Sequence, residues 1–208
     1  FGTFHAEYGD VFGEGFTADA CRDVTVSPTP APSLTKSPAS QGPVSAGSWS
    51  ADGRALIFTE NSPRTGGDMW MLSLEGKATP LLVTAAQERS ARLSPDGRWL
   101  AYESDTSGQP EVYVRAFPGD GGTQIVSTDG GTNPRWAGAR ELVYRRGKQV
   151  ITVPATSGET LTIGRPTVLF EIDDDVNQYD VSADGQRFLM LRRTTSAAAG
   201  GPGQVTIV

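Results

Sequence analysis

Apolar residues in this chain fall into short runs that alternate with polar ones and are separated by Gly, Pro, Asp and Ser, the pattern of strands. Almost no window places apolar residues at i, i+3, i+4 and i+7, and Gly or Pro interrupts most stretches, so an all-β chain is predicted. One phrase recurs. It reads S-W-S-A-D-G-R-A-L-I-F at 48–58, R-L-S-P-D-G-R-W-L-A-Y at 92–102 and D-V-S-A-D-G-Q-R-F-L-M at 180–190. A copy at 135–144, R-W-A-G-A-R-E-L-V-Y, has lost the Asp and one turn residue. Anchored on the apolar residue of the first strand, the copies sit at Trp49, Leu93, Trp136 and Val181, with spacings of 44, 43 and 45. A period in the low forties is the size of one four-stranded propeller blade.

Each copy has the grammar of a blade. A short strand ends in Ser50, Ser94 or Ser182, S-x-D-G supplies a tight turn, and an apolar strand follows. Third strands are predicted at 69–74, 111–117 and 149–154, and fourth strands at 81–84, 124–127 and 167–170. Asp52, Asp96 and Asp184 repeat with the fold and are expected to bond backbone amides in the turn. Trp49 and Trp136 share one repeat position and are expected in the core between blades.

The motif S-x-D-G-R-x-[L/I]-x-[F/Y], followed by a D/E-[V/M]-[Y/W]-V strand, resembles the TolB-type, WD40-like (PD40) repeat. Such repeats build the propellers of TolB, of prolyl-oligopeptidase N-terminal domains and of the sensor halves of bacterial serine/threonine kinases. The resemblance covers residues 44–208, implies a β-propeller and favours an extracytoplasmic location. Kinase signatures and a peptidase domain are not found in the sequence, so the resemblance carries neither activity. Blades are expected at about 44–87, 88–131, 132–175 and 176–208. Residues 1–26 hold β-type stretches around Phe4, Val11 to Phe16 and Val24 to Val26, and 27–43 reads as a Pro/Ser/Thr-rich linker. Five blades are expected, with the N-terminal strands completing the ring or forming a degenerate blade; four blades, or an arc completed in a homodimer, is the alternative.

Composition narrows the chemistry. Gly 25 and Pro 14 in 208 residues fit a turn-rich chain, and 37% hydrophobic residues leave enough for a core. The single cysteine, Cys21, cannot close an internal disulfide, and the single histidine, His5, removes zinc fingers and His-pair zinc hydrolases. Catalytic triads would depend on His5 alone, and no G-x-S-x-G turn occurs. No cofactor or metal is expected. A net charge of -6 has the wrong sign for nucleic acid or an anionic membrane, and no apolar run approaches the roughly 20 residues of a membrane span.

What remains is carboxylates. Loops entering the innermost strands and loops joining second to third strands would share the propeller mouth. They bring Glu88, Glu103, Asp129, Asp173, Asp174 and Asp175, with Arg89, Arg135 and Tyr179 as candidates for holding a sugar. Glycosidases need two carboxyl groups across a pocket. Two readings follow: a hydrolase of small β-glycosides (galactoside, xyloside, arabinofuranoside or fructoside) using these acids, or a non-catalytic propeller binding a protein, peptide or sugar at its mouth. A monomer or homodimer fits either.

Overall fold

A computed structural model describes residues 43–119, 121–158, 160–174, 176–192 and 204–207. The N-terminal strands and most of the linker expected from sequence lie outside these residues, as does Asp175. The described residues form strands and turns with no helix. The first blade is β1 (Val44–Trp49), β2 (Ala55–Ser62), β3 (Gly66–Ser73) and β4 (Ala78–Leu82), paired antiparallel in that order. The second is β5 (Arg89–Leu93), β6 (Trp99–Ser104), β7 (Glu111–Ala116) and β8 (Thr123–Ile125). In the third, β9 (Thr132–Ala137), β10 (Glu141–Arg146) and β11 (Gln149–Thr156) are followed by two short strands, β12 (Thr162–Ile163) and β13 (Thr167–Glu171), which both pair β11. The fourth contains β14 (Val176–Val181), β15 (Phe188–Arg192) and β16 (Gln204–Ile207).

The repeated turn has a repeated chemistry. Ser50 Oγ donates to Asp52 Oδ1 (2.6 Å), that oxygen accepts the Arg54 amide (3.0 Å), and the Ala55 amide donates to Ser50 Oγ (2.9 Å). Ser94 with Asp96, and Ser182 with Asp184, make the same three bonds. Gly53, Gly97 and Gly185 close each turn at φ of 68°, 69° and 72°, a region that costs a side chain and not glycine. These donors hold Asp52 and Asp184 below the usual carboxylate range. Partial burial opposes the same effect at Asp96, yet bonds from Ser157, Ser94 and the Arg98 amide keep it lowered.

Equivalence of the copies is visible in register: Trp49 faces Leu56, Leu93 faces Leu100 and Val181 faces Phe188, each seven residues on. Trp136 faces Leu142, one residue sooner, because that hairpin lost a turn residue. Innermost strands pack in series, β1 on β5, β5 on β9 and β9 on β14. Between successive sheets lie three apolar cores. Ile57, Met69, Leu93, Leu100 and Tyr102 join the first two blades; Trp99, Val112, Leu142, Tyr144 and Ile151 join the next pair; Val143, Val150, Tyr179, Val181 and Phe188 join the last. Each large side chain buried there contributes about 1.5–3 kcal/mol of transfer free energy. Polar links reinforce the stack. Ser157 of the third blade donates to Asp96 (2.6 Å) and accepts Trp99 Nε1 (2.8 Å) of the second.

Two features differ from the sequence expectation. Among the described residues β14 does not pack on β1 as its predecessors pack on one another, so the four blades form an open arc. Trp136 is partly buried against the core of the second and third blades, but Trp49 is 52% exposed. Its side of the first blade has no preceding blade among the described residues to cover it.

Candidate functional site

Antiparallel pairing puts the turns after β2, β6 and β10 on one rim of the arc, together with the loops that lead into β5, β9 and β14. The Ser-Asp turns occupy the opposite rim. Every acidic candidate read from the sequence that is described lies on or beside the first rim, as the loop mapping predicts.

Glu88 closes the loop into β5, where its amide donates to Gly67 O of the first blade (2.8 Å). A Cβ on Gly67 would stand 2.5 Å from Glu88 O, so only glycine lets these backbones approach. The Glu88 side chain is buried, with Oε1 accepting from Thr84 Oγ1 (2.6 Å) and Ser104 Oγ (3.4 Å) and Oε2 finding no donor. Burial pushes its carboxyl up, and the charges of Asp68 and Asp105 add to the rise. Glu103, also buried, accepts the Asn133 amide (3.2 Å) and pairs with Arg89 Nε (3.5 Å). Its carboxyl is likewise raised by burial.

The remaining candidates are placed differently. Asp129 is exposed and 3.9 Å from Arg146, and Asp174 is exposed and bound to Lys148 at 2.7 Å. Asp173, beside it, is exposed. Arg89 also reaches solvent, but Arg135 and Tyr179 do not. Tyr179 sits in the core between the third and fourth blades, its hydroxyl donating to Asn133 O (2.6 Å), and burial holds its phenol well above the ordinary value. Arg135 lies over the Tyr179 ring and donates to Pro134 O (2.8 Å). Its Nε is 3.2 Å from Asp180 Oδ1 but not aligned for a hydrogen bond. Neither residue presents a face on which a sugar could stack.

A carboxylate absent from the sequence-derived set, Glu111, proves central to the rim. It is 1% exposed and accepts from Ser127 Oγ, the Gly130 amide (2.9 Å) and Gln109 Nε2 (2.6 Å), while Ser127 Oγ accepts the Val112 amide (2.8 Å). This network fixes the loop into β9. Glu111 stands 43 residues after Asp68, and Ser127 stands 43 after Thr84. In the first blade the hydroxyl of Thr84 is taken by Glu88 instead, since Asp68, a methylene shorter than Glu111, is bound by Thr65 (2.6 Å). Buried acids on this rim therefore hold interblade loops.

A cavity of about 420 Å³ opens at the edge of the second blade, lined by Ser107, Gly108, Gln109, Glu111, Ile125 and Thr128. It contains none of the candidates read from the sequence. Among the described residues no group of three or more His, Cys, Asp or Glu is arranged to hold a metal ion.

Serial antiparallel blades, three of the four carrying the Ser-Asp turn, define an all-β propeller. More particularly, the fold is that of a TolB-like β-propeller. TolB from Acinetobacter baumannii is similar over 80% of this chain and 40% of its own, at TM-score 0.57 and 18% identity. A putative TolB from Agrobacterium tumefaciens matches 66% of this chain and 51% of its own, at TM-score 0.52 and 20% identity. A structure of a nidogen/laminin complex matches 70% of this chain and 54% of its own, at TM-score 0.53 and 14% identity. The chain thus spans about half, or less, of the solved chains it resembles. No family model and no curated protein matches it. Such low identities speak for a shared fold, and one propeller fold serves many activities.

Proposed function

We propose that this chain is a non-catalytic binding propeller that engages a protein or peptide partner through the rim bearing Asp129, Asp173, Asp174, Arg89 and Lys148. The observation that carries this reading is the division of labour among the acids. Those with the environment of a general acid, Glu88 and Glu103, are buried against hydroxyls, an amide and an arginine, where a glycosidic oxygen has no approach. Exposed acids on the same rim lie beside cations and are suited to charge complementarity across an interface. The nidogen/laminin complex and the TolB structures, similar in fold, are in keeping with this reading.

The glycosidase reading keeps one supporting observation, the raised carboxyls of Glu88 and Glu103. Chromogenic galactosides, xylosides, arabinofuranosides and fructosides at mildly acidic pH separate the two. Binding predicts that all stay intact. Turnover of any of them, lost in a folded Glu88→Gln or Asp129→Asn variant, would establish the hydrolase instead.

A further inference from the structure

In every later blade the residue at the repeat anchor packs toward the blade before it. Leu93 lies in the core with the first blade and Val181 in the core with the third. Trp136 packs against the core with the second blade and donates from Nε1 to Arg92 O (3.1 Å). Trp49 has the same register and faces the same way, yet it is 52% exposed. Cross-strand pairing extends this face through Leu56, Phe58, Trp70 and Leu72, each only partly buried. Trp70 Nε1 is shielded from solvent and has no acceptor. Five apolar side chains on one sheet face match the surface that the other blades bury against a neighbour.

We propose that residues 1–26 of this chain cover the outer face of the first blade and bury Trp49. Two observations select this occupant. Of the eight phenylalanines in the chain, Phe1, Phe4, Phe12 and Phe16 fall in its first sixteen residues, beside Tyr8, Val11, Val24 and Val26. The segment also leads, through 27–42, into β1, the strand that carries Trp49, with Pro43 O accepting the Asn61 amide of β2 (2.9 Å). The stretch 27–42 between them spans at most roughly 50 Å when extended at about 3.1 Å per residue, enough to reach any part of the face.

Tryptophan emission and acrylamide quenching test this, read alongside sedimentation, on the full chain, a chain lacking 1–26, and a full-length Phe4→Ser/Phe12→Ser/Phe16→Ser variant that serves if the truncated chain fails to fold. The expected result is a monomeric full chain whose emission shifts to the red, with increased quenching, in either variant. Introducing Trp49→Phe should remove most of that difference. Equal quenching of full chain and variants, all monomeric, would overturn the proposal, whether the face stays open or the fourth blade closes on it. Protection that appears only with dimerisation would overturn it in favour of a second copy.

Discussion

At the scale of single residues, carboxylates in this protein fall into two kinds with opposite pH behaviour. Asp52, Asp96 and Asp184 titrate lower in the fold than in the unfolded chain. Their stabilisation is complete above the ordinary carboxylate pKa and is lost as pH falls through the lowered one. Glu88 and Glu103 titrate higher in the fold, so they favour folding at low pH and oppose it increasingly as pH rises past the ordinary value toward the raised one. Glu88→Gln should therefore raise the melting temperature at neutral pH and change it less at about pH 4, where the unfolded carboxyl is itself largely protonated. Thermal melts at the two pH values read the difference directly. Asp96→Ala should cost roughly 1–2 kcal/mol in a denaturant titration, since charge-assisted bonds are lost and Ser157 loses its acceptor. The same change at Asp52, which bonds only within its own turn, should cost less.

Strands and blades depend on which side of a sheet is sandwiched. Trp136→Ala should destabilise by about 3 kcal/mol, the low end for a tryptophan because the side chain is only partly buried. Gly67→Ala should cost about 2 kcal/mol, as the new methyl would push Glu88 O away and strain the junction of the first two blades. Urea titrations of both variants check these values. The blade period and the hairpin register were legible in the sequence because S-x-D-G recurs and the turn needs those side chains locally. Burial was less legible. Tyr179 and Arg135 lie close to the rim along the chain, but their faces are closed by the adjoining sheet, and sequence position alone does not mark that. Trp49 shows the converse, an anchor whose exposure depends on what stands beside the first blade. Glu111 could have been found by pairing it with Ser127 through the 43-residue offset from Asp68 and Thr84.

At the scale of the whole molecule, the described residues form a series in which each blade packs on its neighbours. A partner held by the exposed charges of the rim should bind more weakly as salt increases, because those charges are screened within about 8 Å at physiological ionic strength. Asp129→Lys together with Asp174→Lys should weaken capture while leaving the melting temperature nearly unchanged, which surface plasmon resonance and a thermal melt would report. The Ser-Asp turn has a further consequence, for the order of events in time. Its bonds close over five residues, from Ser182 to Arg187 for example, whereas the links from Trp136 to Arg92 and from Ser157 to Asp96 between blades close over 44 and 61. Hairpins form in about 1–10 μs, far ahead of contacts that must first gather a long stretch of chain. The turns should then be formed in the folding transition state and the blade junctions completed after it. In stopped-flow experiments Asp184→Ala would mainly slow refolding, and Ser157→Ala would mainly speed unfolding.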